Sequence, residues 1–142
     1  MIETPAAAFL AADLADHVDF FSIGTNDLTQ YVMAAERGND RVADLGDYRQ
    51  PAVLRAIRTT VEATEGTDVW VGMCGEMAGD PELTELLVGL GLDELSMSAV
   101  TVPQVKRAVT ETTDAAAGEL AERALAASTK DELERVLTET TQ

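Results

Sequence analysis

Positive charge is scarce in this sequence. Its 142 residues include ten Lys or Arg against 26 Asp or Glu, for a formal net charge of −16, and lysine occurs only at Lys106 and Lys130. So acidic a surface repels the phosphate backbone of DNA or RNA. We therefore predict that the chain has no nucleic-acid partner.

Cysteine and long apolar runs are also nearly absent. Cys74 is the single cysteine, which excludes an internal disulfide and fits a reducing compartment. The apolar stretches fall well short of the roughly 20 residues that span a bilayer, and the first ten residues lack the basic start of a signal peptide. We expect a cytoplasmic chain without membrane insertion.

The acidic excess has two interpretations. A lysine-poor, strongly negative surface is typical of a halophilic protein, whose self-repulsion is screened by high salt. An ordinary acidic cytosolic protein shows a similar balance, because acidic composition alone is not diagnostic. We favour the halophilic interpretation.

Strands and helices alternate along the predicted chain. Apolar runs predict strands near residues 1–3, 18–23, 69–73 and 92–98, with helices near 6–17, 28–35, 51–65, 81–90 and from 102 onward. This alternation predicts an α/β fold with parallel strands and crossover helices. Residues 111–142 are rich in Ala and Glu and predict one or two surface helices, so we divide the chain into residues 1–110 and a helical tail, 111–142.

The stretch from Val18 to Tyr31 is the most informative part of the sequence. Its apolar run breaks at Gly24, and Thr25, Asn26 and Asp27 follow. A strand end that presents Asn and Asp suits a Mg²⁺ site, since Mg²⁺ prefers hard oxygen ligands. The alternative is a loop in which one of these side chains only caps the next helix.

A second strand, residues 69–73, is followed directly by Cys74, Gly75 and Glu76. A thiol at a strand end is placed like an active-site group, although buried structural cysteines are common. An ordinary thiol still holds its proton at neutral pH and can act as a general acid. Both interpretations of Cys74 remain open at this point.

Residues 20–31 and 71–80 together resemble the two signatures of the phosphoenolpyruvate-utilising enzymes, and most closely those of Enzyme I of the sugar phosphotransferase system. The resemblance runs from residue 1 to about residue 110. It departs at residues 46–51, where the family usually has Asp-Pro-Leu-His-Pro and this chain has Gly-Asp-Tyr-Arg-Gln-Pro. That departure leaves the conformation of the loop open.

The resemblance implies a fold. The predicted strands would be the last four of a (β/α)₈ barrel, a fold that needs about 250 residues. The chain would then be the C-terminal half of such a barrel, with a helical tail. We expect a C-terminal fragment of a larger enzyme, inactive by itself, whose barrel domain forms a homodimer.

The resemblance also implies site residues. Glu3 and Asp27 would bind Mg²⁺, which bridges the carboxylate and the phosphate of phosphoenolpyruvate. Asn26 and Arg37 would bind the phosphate, and Cys74 would protonate enolpyruvate to give pyruvate. The phosphoryl group would pass to a histidine on a domain absent here, and from there to a histidine-containing phosphocarrier protein that serves sugar transport.

Two alternatives remain. A fragment of pyruvate phosphate dikinase or phosphoenolpyruvate synthase would share the barrel and much of both motifs. A non-catalytic dimerisation module would keep the site residues and bind no substrate.

We predict that high salt stabilises this chain. The melting temperature should rise with KCl concentration from dilute buffer to molar salt, because salt screens the repulsion among the carboxylates. A melting temperature that stays flat or falls over that range would contradict the halophilic interpretation.

Overall fold

The computed structural model describes residues 1–36 and 38–140, and within those ranges the chain forms three strands and eight α-helices. The strands are β1 (Phe20–Gly24), β2 (Trp70–Cys74) and β3 (Glu94–Leu95). The helices are α1 (Pro5–Phe9), α2 (Ala11–Ala15), α3 (Thr25–Met33), α4 (Pro51–Glu62), α5 (Thr84–Gly89), α6 (Val102–Glu111), α7 (Asp114–Ala126) and α8 (Lys130–Thr140).

The sheet has the order β1-β2-β3, and all its strands are parallel. This confirms the predicted α/β fold. Of the four predicted strands, the first and the last are shorter than expected. Residues 1–3 contribute a single parallel bridge, between Ile2 and Ile23, and β3 covers two residues of the predicted 92–98.

The pairing of β3 with β2 is short, and it begins at Asp93, whose N–H donates to the carbonyl of Val71 at 2.9 Å. A carboxylate oxygen of Asp93 accepts a hydrogen bond from the backbone N–H of Val71, at 2.8 Å. At the other end the N–H of Ser96 donates to the carbonyl of Met73, also at 2.8 Å. The backbone pairing therefore ends within a few residues on either side of Glu94–Leu95.

The two faces of the sheet differ. Phe21, Ile23, Val71 and Met73 are buried against the helices, as expected for alternate residues of paired strands. Phe20 stacks on Trp70 with ring centroids 4.5 Å apart, and both rings are partly exposed, 49% and 36%. One face of the sheet is thus packed by helices, while its opposite face carries a partly open aromatic pair.

The predicted helix over residues 6–17 is wrong in its continuity and in its buried face. The chain leaves the helical path at Leu10, between α1 and α2. The spacing of Phe9, Leu10 and Leu14 predicts one apolar helix face, but these side chains are 77%, 54% and 37% exposed. The core contact is made instead by small residues, which allow both helices to lie close to α4: Ala8, Ala11 and Ala15.

Two other helices begin at residues that differ from the predicted ones. Helix α3 begins at Thr25, three residues before the predicted start at Leu28. Helix α5 begins at Thr84, because the carboxylate of Asp80 accepts the N–H of Glu82 at 3.0 Å and forms a turn there. At α5 this local hydrogen bond, which the apolar period does not predict, accompanies the later helix start.

The tail forms two helices, α7 and α8, and each packs one side on the rest of the chain. Leu120, Ala121, Ala124 and Leu133 are buried, and α7 packs closely along α5. Thr129 and Glu132 have the sequence spacing that predicts a capping box, and the N–H of Glu132 donates to the hydroxyl of Thr129 at 3.2 Å at the start of α8.

None of the helices in the described part of the chain combines the length and the apolar character required to cross a membrane.

We predict that Gly89→Ala destabilises the chain by about 1–3 kcal/mol, the usual range for overpacking. A Cβ at position 89 would lie 1.9 Å from the carbonyl oxygen of Ala117, so α5 and α7 would have to separate. Chemical denaturation of the two proteins measures the difference.

Gly118→Ala on α7 is the matched control. Nothing lies within 4 Å of a Cβ placed there, so the substitution should stabilise the helix by about 0.5–1 kcal/mol. Equal effects of the two substitutions would show that the contact between α5 and α7 is not tight.

Candidate functional site

Three sequence segments singled out above meet at one edge of the sheet. Parallel strands place their carboxyl ends together, and β1 and β2 pair in a register that sets Gly24 opposite Cys74. The bridge between Ile2 and Ile23 adds the N-terminal segment on the other side of β1. Glu3, the Asn26-Asp27 turn and Cys74 therefore all follow strand ends on the same edge.

Glu3 lies against the start of the loop after β1. The N–H of Ile2 donates to the carbonyl of Ser22 at 2.8 Å, and the N–H of Gly24 donates to the carbonyl of Ile2 at 2.9 Å. A Cβ added to Gly24 would lie 3.3 Å from the Cβ of Glu3 and 3.4 Å from its Oε2. The absence of a side chain at Gly24 thus leaves room for the Glu3 carboxylate beside the turn.

Thr25 and Asn26 bind the neighbouring loop instead of capping their own helix. The hydroxyl of Thr25 donates to the carbonyl of Cys74 at 3.0 Å, and Oδ1 of Asn26 accepts from the N–H of Glu76 at 3.3 Å. Gly24 is the residue that precedes α3, and it provides no side-chain cap. The capping interpretation therefore does not hold for Thr25 or Asn26.

Gly75 makes this cross-loop contact possible. Its φ of +104° lies in the region that favours glycine. A Cβ there would lie 2.4 Å from the Thr25 hydroxyl and 3.2 Å from Oδ1 of Asn26. The turn after Cys74 can approach the turn after Gly24 only because residue 75 has no side chain.

Cys74 is half-buried at the end of β2. The hydroxyl of Ser22 lies 3.8 Å from its Sγ, close enough for a weak hydrogen bond to sulfur. Sequence reasoning did not single out Ser22. Its polar side chain between Phe21 and Ile23, in an otherwise apolar strand, is the signal that could have identified it.

Two clefts border the Asn26 and Glu76 side of this edge. One, of about 240 Å³, is lined by Asn26, Thr29, Tyr48 and Glu76 among others. The other, of about 440 Å³, is lined by residues 38–49 and again by Glu76. Thr29 is 2% exposed, and its hydroxyl has no hydrogen-bond partner within the described ranges, so the smaller cleft offers a donor for a bound water or ligand atom.

Arg37, the predicted phosphate-binding residue, lies outside the described residues. Glu36 and Gly38, which flank it in the sequence, line the larger cleft.

The loop at residues 38–50 carries a buried polar cluster on the same side. Oδ2 of Asp80 accepts hydrogen bonds from the Tyr48 hydroxyl, at 3.2 Å, and from Nη2 of Arg49, at 2.8 Å. Burial, together with the negative charge of Asp80, raises the pKa of Tyr48, so this hydroxyl keeps its proton and donates it to Asp80. Sequence reasoning did not identify Tyr48 or Asp80 as neighbours of the site.

The sheet edge offers few side chains that could bind a divalent metal. Among residues 1–36 and 38–140, no group of three or more His, Cys, Asp or Glu side chains is gathered closely enough to hold a metal ion. Two carboxylates, Glu3 and Asp27, stand at the same sheet edge. This fits Mg²⁺, which typically uses one or two protein carboxylates and completes its shell with water and substrate oxygens.

Residues 1–113 match the family described as PEP-utilising enzyme, PEP-binding domain. This match covers most of the chain and includes both motifs at the sheet edge.

Curated relatives match the chain almost from end to end. It is 77% identical over 138 residues to a phosphoenolpyruvate-protein phosphotransferase of Haloferax volcanii, which is 97% of this chain and 24% of that protein. A protein of the same name from Haemophilus influenzae is 47% identical over 98% of the chain and 24% of its own length. A multiphosphoryl transfer protein of Xanthomonas campestris is 50% identical over 94% of the chain and 16% of its own length. The chain thus spans about a quarter or less of these relatives.

Proposed function

We propose a function from the premise that the chain belongs to the family of PEP-utilising enzymes, PEP-binding domain: it forms part of the phosphoenolpyruvate site of a phosphoenolpyruvate–protein phosphotransferase. The names of its relatives favour this enzyme over pyruvate phosphate dikinase or phosphoenolpyruvate synthase. The single observation that carries the proposal is the register of β1 and β2. It brings the Asn26-Asp27 turn and Cys74 to one sheet edge, as a shared site requires.

Glu3 and Asp27 are the residues that would hold Mg²⁺. When bound, the ion would neutralise charge on the carboxylate and phosphate oxygens of the substrate. Two observations support this role: Glu3 directly follows the bridge of Ile2 to β1, and Asp27 lies in the first turn of α3. Neither position depends on a long flexible loop.

Asn26 and Arg37 are the proposed contacts to the phosphate. A guanidinium suits this role because its planar fork can bind two phosphate oxygens at once and balance the charge that develops in transfer. The Oδ1 of Asn26 is held by the N–H of Glu76, which leaves the amide NH₂ to donate to an anion. The cross-loop bond would thus orient the asparagine.

Cys74 is the proposed proton donor. After the phosphoryl group leaves, the thiol proton goes to the methylene carbon of enolpyruvate, giving pyruvate and a thiolate that regains a proton from water. The nearby Ser22 hydroxyl can donate a hydrogen bond to the sulfur and so would stabilise the thiolate.

The remaining steps belong to the larger protein. The phosphoryl group would pass to a histidine on a further domain and then to a phosphocarrier protein, as part of sugar uptake by a cytoplasmic enzyme. The strand order and the partly open sheet face support half of a (β/α)₈ barrel over residues 1–110, completed by the other half of that domain. The tail, 111–142, would then pack on the outside of the barrel.

We predict that Cys74→Ala in the full-length phosphotransferase reduces pyruvate formation by at least about 100-fold, the usual scale for loss of a general acid. Binding of phosphoenolpyruvate should change little, because the proton is delivered after the substrate is bound. Pyruvate release and calorimetric binding, with and without Mg²⁺, measure the two effects.

Thr110→Ala is the control for this experiment, since Thr110 lies on the exposed side of α6, away from the sheet edge, and its hydroxyl donates to the carbonyl of Arg107 at 2.8 Å. It should leave both measurements close to those of the unaltered protein. Loss of binding in step with turnover for Cys74→Ala would show a structural cysteine. An absence of phosphoenolpyruvate binding in the unaltered protein would favour a non-catalytic dimerisation module.

We predict that the isolated chain releases little or no pyruvate and self-associates. Two sheet edges, at residues 1–3 and at β3, contact no further strand among the described residues, and exposed edges invite pairing with a second copy. Light scattering and a pyruvate assay with the carrier protein test this. A monomer with near-normal turnover would contradict both the fragment interpretation and the proposed homodimer.

A further inference from the structure

The loop at residues 38–50, called here the connecting loop, forms one wall of both clefts beside the candidate site. Its 3₁₀ segment runs from Asp40 to Gly46. Tyr48 lines both clefts, and it does so opposite Glu76, the residue whose N–H binds Asn26. The position of this loop therefore sets the width of the space next to Asn26.

The first anchor of the connecting loop is Asp80, whose side chain is 15% exposed. One carboxylate oxygen binds both Tyr48 and Arg49, and the other accepts the N–H of Glu82 at 3.0 Å. Asp80 lies six residues after Cys74 in the same connection between β2 and α5. This anchor ties the connecting loop to the segment that begins at the proposed proton donor.

The second anchor comes from the tail. Nζ of Lys130, the first residue of α8, lies 2.8 Å from Oδ2 of Asp47. Oδ1 of Asp47 accepts the N–H of Arg49 at 2.9 Å. Both side chains of the ion pair are mostly buried, with 28% and 27% exposed. Lys130 is thus joined through Asp47 to the residue that binds Asp80.

Charge also favours this second anchor. Partial burial acts to raise the pKa of Asp47, but the hydrogen bond from Lys130 and the N–H of Arg49 outweigh it, so the pKa of Asp47 is lowered. The hydrogen bond to Asp47 raises the pKa of Lys130. The lowered pKa of Asp47 and the raised pKa of Lys130 both favour the charged forms of the two side chains. Glu134, at 3.7 Å from Nζ, is the competing partner on α8 itself.

The tail can hold the loop because the tail is itself fixed. Helix α7 packs on α5 with no room for a side chain at Gly89, and Leu133 of α8 is fully buried. Arg55 of α4 donates to the carbonyls of Leu125 and Ala127, at 3.2 and 2.9 Å, between the two tail helices. Lys130 therefore extends from a rigid base.

We propose that Asp80 and Lys130 are positioning residues that hold the connecting loop against the candidate site from two sides, so that helix α8 sets the affinity for a phosphate-bearing substrate. The proposal rests on the proposed function for its substrate. It extends beyond the family match, because Lys130 lies outside residues 1–113.

The test uses the full-length phosphotransferase and two readouts: amide hydrogen exchange of residues 38–50, and the KM and kcat for phosphoenolpyruvate. Lys130→Met keeps the aliphatic stem and removes the charge. It should raise exchange in the connecting loop, and KM, by roughly five-fold, the factor that corresponds to an ion pair at the upper end of the range for partly exposed pairs. The kcat should not change, because no reacting atom is touched.

Asp80→Asn should raise loop exchange and KM further, because it removes the charge that holds Arg49 while keeping the shape of the side chain. Lys130→Arg keeps the positive charge next to Asp47 and leaves the acceptor of the Arg49 N–H in place, so loop exchange and KM should stay close to those of the unaltered protein. A role confined to the aliphatic stem of Lys130 would instead be kept in Lys130→Met.

Arg107→Met is the matched control, since it breaks the exposed ion pair of Arg107 with Glu111, at 2.9 Å on α6, which contacts neither anchor. It should leave loop exchange and KM unchanged. Unchanged exchange in Lys130→Met, an equal rise in Arg107→Met, or an equal rise in the charge-conserving Lys130→Arg would each overturn the proposal.

The two readouts separate this proposal from the proposed function. Amide exchange shows whether Asp80 and Lys130 hold the connecting loop, whatever the substrate is. Faster exchange in the variants without any phosphoenolpyruvate binding would therefore contradict the proposed function and still support the two anchors. A normal KM in Lys130→Met, with faster loop exchange, would show that the loop is held but does not affect affinity, and would overturn the proposed role in binding.

Discussion

The parallel pairing of β1 with β2 is the constraint on which the rest of the structure depends. With Gly24 opposite Cys74, the two following turns are close enough for Thr25 and Asn26 to bind the backbone of Cys74 and Glu76. A shift of one residue would turn every side chain to the other face and separate those turns. The buried residues of both strands oppose such a shift by packing on the helices.

Two glycines allow the side chains of the candidate site to lie close together at this sheet edge. Gly24 leaves room for Glu3 on one side, and Gly75 allows the loop after β2 to reach Thr25 on the other. Farther out, the connecting loop closes the edge, fixed to Asp80 and, through Asp47, to Lys130. The proposed proton donor, the proposed ligands and the tail thus belong to one connected set of contacts.

Much of this arrangement is predictable from the sequence, and the exceptions have a common cause. Element type and parallel order follow from local pattern: Gly24 and Gly75 break apolar runs, and Thr129 caps α8 as its spacing with Glu132 indicates. The spacing of Phe9, Leu10 and Leu14 predicts an apolar helix face, yet the buried residues of this segment include Ala8 and Ala11. The spacing of apolar residues along one helix does not specify how closely a second helix packs against it. The sequence therefore could not show whether large or small residues form that contact.

The sequence alone determined that this is an acidic α/β chain, that Asn26, Asp27 and Cys74 follow strand ends, and to which family its motifs belong. The tertiary structure alone decided that Ser22 lies beside the thiol, that Asn26 binds the next loop, and that the tail reaches the connecting loop through Lys130. The physical reason is the separation along the sequence of the residues that interact. Turn and strand signals depend on neighbours a few residues apart, whereas each of these contacts joins residues 50 or more positions apart in the sequence.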